Sequence, residues 1–248
     1  MNGFSMPIQG RAASTAAILS ISMLTTACGG SDSTPQTAAH CFDDAIYQSS
    51  NKIEQKLSLP NEGNAQRTYT TSAQKSSFNG QTDLIEHNVQ YLRLNSLPTG
   101  SYSNTYYLSP ESPHIYKNYG FIHETRTDVI RKGIYTYFSP AIDRRALLEL
   151  GSSLEYRIQG NAKLEPNGTT TPINEFYIIT YAGDENISIG NRNLKACKFK
   201  ISKNEKISFE WIYKSIPIQS SHILQGNLAE ENIVIEKTTQ LTNNGQDF

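Results

Sequence analysis

The sequence predicts a mainly β protein built as a meandering antiparallel sheet, and three observations lead there. Short runs of alternating polarity recur along the chain, turn signals rich in Gly and Asn separate them, and helical periodicity is scarce. The 248 residues carry 22 Lys and Arg against 23 Asp and Glu. That balance supplies no field to draw the chain onto nucleic acid or an anionic membrane surface, so no nucleic-acid partner is expected.

Taken in order, the first element is an export signal. Residues 12–27, AASTAAILSISMLTTA, are apolar and rich in small residues, with Arg11 the basic side chain before them. The stretch is shorter than the ~20 residues of a membrane-spanning helix and fits the apolar region of a secretory signal. It ends in Thr26, Ala27 and Cys28 and is followed by GGSDSTPQTAA, a flexible polar composition. This arrangement resembles bacterial lipoprotein precursors, in which two small residues precede a cysteine that is acylated after cleavage. The chain departs from their pattern in having Thr25 where they carry Leu, with Leu24 one place early. The resemblance implies a signal peptide at 1–27, lipid on Cys28, a tether over 28–40 and one domain over 41–248. It also implies sorting to the outer membrane, facing the periplasm, because Gly29 and not Asp follows the cysteine. The competing reading is an ordinary secreted protein whose Cys28 pairs with another thiol.

With Cys28 acylated, two thiols remain, Cys41 and Cys197, in an oxidising compartment where such a pair tends to join. A Cys41–Cys197 disulfide is therefore expected, against the alternative of two free buried thiols.

DDAIYQSSNKIEQ at 43–55 is a weak helix candidate, and PAIDRRALLELG at 140–151 a better one, with Pro140 and Asp143 favouring a start and Gly151 a stop. Strand patterns cover 81–94, 131–138, 153–160, 174–183 and 232–241, with turns expected at FNGQ, EPNGTT and YAGDEN. KACKFKIS places Cys197, Phe199 and Ile201 on one face. KISFEWIY places Ile207, Phe209, Trp211 and Tyr213 on one face, and KNE between the two runs makes them a hairpin. The tyrosine clusters YSNTYY and IYKNYG read as sheet, the ring spanning core and surface.

YAGDENISIGNRNLKACKFKI followed by EWIYKSIPIQS carries a second resemblance, through Gly183, Glu185, Gly190, Leu194, Ala196, Cys197, Lys198, Phe199 and Trp211. It resembles uncharacterised periplasmic proteins and lipoproteins of Gram-negative bacteria and is similar in style to the Lol-type carrier fold. The fold this implies is a single curled antiparallel sheet, an open or partial barrel, with one or two short helices.

Catalytic patterns are missing. His40, His87, His114, His123 and His222 are scattered without metal-motif spacing, and His123 and Glu124, being neighbours on a strand, point to opposite faces. There is no G-x-S-x-G elbow, phosphate loop or dinucleotide glycine pattern. No enzyme activity, metal or cofactor is expected. The expected function is that of a lipid-anchored envelope protein, a binding or structural module whose partner is another envelope component. The runner-up is a carrier of an apolar ligand such as a lipid or acyl chain, with Trp211 facing it; an envelope hydrolase ranks below both.

Overall fold

The computed structural model describes residues 36–59, 63–94, 100–126, 130–203, 206–224 and 232–248. Strand β1 (Lys52–Leu59) shows the rule that builds the rest. Ile53, Gln55 and Leu57 are buried, while the alternate positions carry Lys52, Glu54, Lys56 and Ser58 toward the other side. Period-two patterning of this kind needs a sheet with one dry face and one wet face.

Thirteen further strands follow: β2 (Gly63–Thr71), β3 (Ser76–Phe78), β4 (Gln81–Arg93), β5 (Ser101–Ser112), β6 (Ile115–Arg126), β7 (Ile130–Ile142), β8 (Ser153–Glu165), β9 (Thr169–Ile189), β10 (Arg192–Lys203), β11 (Lys206–Tyr213), β12 (Ile216–Leu224), β13 (Asn232–Asn243) and β14 (Gln246–Asp247). Consecutive strands pair antiparallel along the meander, except that β2 pairs with β4, and β3 lies beside β4 as a short flap. The last long strand then returns to the first, with β13 and β1 in register from Ile53↔Asn243 to Ser58↔Lys237. The sheet is therefore a closed twelve-strand barrel and not the open or partial one expected. Closure removes the two edges that an open sheet would leave unpaired.

Bulges bend the wall. Register shifts fall at Lys56/Leu57, Asn118/Gly120, Lys198/Phe199 and Trp211/Ile212, and each tightens the local twist. Around β7 the backbones come so close that a Cβ on Gly120 would lie 2.0 Å from the Tyr135 carbonyl oxygen, and one on Gly160 2.0 Å from that of Thr136. Glycine is required at both places.

Neither expected helix forms. Residues 43–55 give one 3-10 turn (Asp44–Tyr47) and then enter β1, while 140–151 belongs to the end of β7 and a 3-10 turn at Arg145–Leu147. The apolar positions that suggested helices serve pleated strands on a barrel wall instead. YAGDEN is likewise no turn. It runs through β9, where Gly183 at φ 109 sits at the bulge against Lys198. FNGQ and EPNGTT do turn the chain, between β3 and β4 and between β8 and β9.

Inside the barrel, one apolar cluster joins Ala38, Cys41, Leu148, Ile179, Tyr181, Cys197, Phe199 and Ile212. A larger one, not confined to the lumen, joins Ile46, Ile53, Tyr69, Ile218 and Leu241 to Ile187, Ile189, Ala196, Trp211 and Ile216.

Candidate functional site

Residues 36–51 lie across one end of the barrel and plug it. Thr37 and Asp43 accept hydrogen bonds from Ala39 N–H and Ala45 N–H and so start two 3-10 turns, Ala38–Cys41 and Asp44–Tyr47. Those turns free backbone groups to meet successive strand connections. Ala38 N–H donates to Leu148 O at 2.9 Å between β7 and β8. Ser215, between β11 and β12, donates its N–H to Cys41 O and its hydroxyl to Asp43 O, both at 2.9 Å. Thr71 at the end of β2 donates to Ile46 O, and His114 N–H between β5 and β6 donates to Asp44 Oδ1, both at 3.1 Å. Tyr47 packs its ring on His87 and Tyr116. Residues 37–40, expected in the tether, are thus part of the folded body.

A covalent bond completes the plug. Cys41 and Cys197 form the expected disulfide, joining positions 156 residues apart, and both are buried. Around it stand His40, Tyr181, Asp184 and Lys195. His40 donates from Nδ1 to the Thr37 carbonyl at 3.1 Å and turns Nε2 toward Asp184 Oδ1 at 3.1 Å. Tyr181 OH donates to the same oxygen at 2.6 Å, while Lys195 Nζ reaches Asp184 Oδ2 at 2.8 Å. Burial works against the Asp184 carboxylate, but the bonds from Lys195 and Tyr181 and the His40 ring outweigh it and hold the group below its ordinary value. Burial and the Asp184 bond raise the Tyr181 phenol.

The lumen is polar as well as apolar. Arg67 on β2 pairs with Glu236 on β13 at 2.7 Å, and the Gln55 amide, fully buried, donates to Pro217 O at 2.7 Å and to Thr238 Oγ1 at 2.5 Å. Gln55 Oε1 accepts from Tyr69 OH at 3.1 Å, and burial pushes that phenol up to about 12. Near the plug, Arg145 binds Asp143 through two nitrogens, reaches Glu210 on β11 and lies 5.6 Å over the Phe199 ring. Toward the other end, aromatic rings stack across strands: Tyr91 on Tyr102 at 4.8 Å and Phe121 on Tyr135 at 4.3 Å. Outside, β8 exposes Glu155, Arg157 and Lys163, and β1 exposes Lys52 and Lys56. Phe138, Leu164 and Ile178 are exposed apolar side chains on β7, β8 and β9.

No protein-family model, curated protein or solved structure matches this chain.

Of the residues singled out by sequence, Cys28 lies outside the described residues, and Cys41 and Cys197 meet as expected. Trp211, expected to face a ligand, does not share the Cys197 and Phe199 side of the wall. Its register partner is Lys198, and on that outer side it is covered to 6% exposure, donating from Nε1 to Glu185 at 2.9 Å with Lys198 Nζ 4.9 Å over its ring. His123 and Glu124 do split across the sheet. His123 turns inward to Asn104 Oδ1 at 2.7 Å, and Glu124 joins an outer groove with Glu86, Ser103 and Arg126. The sequence reading missed His40 and Asp184 beside the disulfide, although His40 adjoins Cys41. It also missed the ion pairs Arg67–Glu236 and Arg145–Glu210, whose partners lie far along the chain. No helix among the described residues is long and apolar enough to cross a membrane.

Proposed function

We propose that this chain is a lipid-anchored module of the bacterial cell envelope, held at the outer membrane by acylated Cys28 on the periplasmic side, with a binding or structural role and no catalysis of its own. The observation that carries the reading is the plug. The segment that follows the tether begins at Gln36 and closes one barrel end, so a lipid on Cys28 would hold that end within about 28 Å of the bilayer, the extended reach of residues 28–35. The opposite rim, where β4, β6, β8 and β12 end and β5, β7, β9 and β13 begin, would then face away from the membrane toward another envelope component.

A carrier of lipid or acyl chains needs an apolar hollow. The lumen wall carries Arg67–Glu236, Gln55–Thr238 and Lys203–Glu175 pairs instead, which favours the binding or structural role. The test is fractionation of cells labelled with an acyl precursor. The native chain should carry label and sediment with membranes, and Cys28→Ser should lose both. A Cys28→Ser chain that keeps label and membrane association ends the anchoring proposal. Stoichiometric non-covalent acyl lipid found on the purified Cys28→Ser chain by native mass spectrometry would move the reading to the carrier.

A further inference from the structure

The disulfide corner collects four groups of metal-ligand chemistry. One ligand atom each from His40, Cys41, Asp184 and Cys197 lies within 4.8 Å of the others. No short motif announces them, because His40 and Cys41 come from a 3-10 turn of the plug while Asp184 and Cys197 are register partners on β9 and β10.

The spacing can be set against coordination geometry. Zinc bonds of about 2.3 Å to sulfur and 2.0–2.2 Å to nitrogen or oxygen put neighbouring tetrahedral ligand atoms about 3.2–3.8 Å apart. His40 Nε2 is 3.1 Å from Asp184 Oδ1, and Cys197 Sγ is 3.6 Å from each of them. Three edges of the tetrahedron therefore stand near their required lengths. The sulfur–sulfur bond is the edge that has to open, and the remaining two, from Cys41 Sγ to His40 Nε2 and to Asp184 Oδ1, lie within 4.8 Å.

The outer shell fits too. Thr37 O takes the Nδ1 proton of His40, which leaves Nε2 free to present its lone pair, the arrangement that orients ligating histidines elsewhere. Two thiolates and one carboxylate against a divalent cation leave one negative charge, and Lys195 at 2.8 Å from Asp184 Oδ2 balances it.

We propose that reduction of Cys41–Cys197 turns this corner into a zinc site with His40 Nε2, Asp184 Oδ1 and the two cysteine thiolates as ligands. The reductant is a dithiol. It gives two electrons and two protons to the disulfide, leaves as its own cyclic disulfide, and frees two thiols. The incoming cation takes the thiolates and their two protons pass to water. The plug is fastened to β10 in both states, by a covalent bond in one and by a shared cation in the other.

The experiment uses the full chain carrying Cys28→Ser, so that the only thiols are the two in question. It is reduced with a phosphine, which becomes the phosphine oxide by taking oxygen from water, and titrated with Zn2+ alone by calorimetry. Co2+ is used in parallel for its thiolate charge-transfer band. One Zn2+ per reduced chain and none per oxidised chain are expected, and His40→Ala and Asp184→Ala should each weaken binding at least about tenfold. A reduced chain that takes no Zn2+, an oxidised chain that takes it equally well, or affinity unchanged in both variants overturns the proposal. If reduction alone abolishes the near-ultraviolet circular dichroism, Zn2+ must restore it, and failure to do so counts as refutation.

Discussion

Removing the charge of Arg145 while keeping its bulk tests how the lumen tolerates ions. Arg145→Met preserves a chain able to lie over Phe199 but deprives Glu210 and Asp143 of their counter-ion. Stripping one partner from a buried pair costs about 3–5 kcal/mol. The two anions do not count equally here, since the Glu210 side chain is 23% exposed and that of Asp143 40%. Solvent screens the Asp143 part to below about 1 kcal/mol. The expected loss is thus about 3–4 kcal/mol, nearly all from Glu210. Urea unfolding at pH 7 reads it, and Arg145→Met with Glu210→Gln should recover most of it, because no unpaired charge remains. Acid supplies an independent sign. Burial pushes the Asp143 carboxyl up, but the charge and hydrogen bonds of Arg145 outweigh burial and hold it below the ordinary value. Stability from such a depressed group is full above the unfolded-state value near 4 and is lost as pH falls through the folded value. The gap between native chain and Arg145→Met should therefore narrow toward pH 3. A single variant within 1 kcal/mol of the native chain, a double variant as unstable as the single, or a gap that widens in acid would refute the reasoning.

Other outcomes can be checked directly. His87 is 5% exposed, and burial lowers its pKa to about 4, so the folded chain resists a proton that the unfolded chain accepts from about 6.5 downward. Stability should fall by about 3 kcal/mol between pH 6.5 and 4 on this account alone, and His87→Gln should flatten that part of the Tm profile. Opening the Cys41–Cys197 loop of 156 residues by Cys41→Ala should cost about 5 kcal/mol in the chain-entropy account, measured by denaturation of the oxidised parent and the variant. Gly160→Ala sets a methyl against the Thr136 carbonyl and should cost at least about 1–3 kcal/mol in thermal unfolding, with β7–β8 amides losing hydrogen-exchange protection first.

The strands were legible wherever alternation was clean. β8, β10, β11 and β13 contain the runs read from sequence, and β4 contains all of its run but Leu94. β1 was not legible, because Gln55 occupies an inward position between Ile53 and Leu57 and breaks the apolar rhythm; the run was absorbed into a helix candidate. Closure could not be read either. It depends on β1 meeting β13, nearly the length of the chain away, and no local pattern states which strands are neighbours. Faces carried the same ambiguity. Both runs of the β10–β11 hairpin alternate as expected, yet the register Lys198↔Trp211 sends Cys197 and Trp211 to opposite sides of the wall. The disulfide was legible by counting thiols, whereas Asp184 was hidden in a segment that looked like a turn and is a bulge.

A ring of strands has a social consequence. Every long strand has two neighbours over part of its length, yet Ser153–Gln159 of β8 pair only with β9, and Asp184–Ile189 of β9 pair only with β10. A visiting peptide could lay its own backbone along those two stretches, while the rest of the ring has to be recognised through side chains or through the connections at the rim.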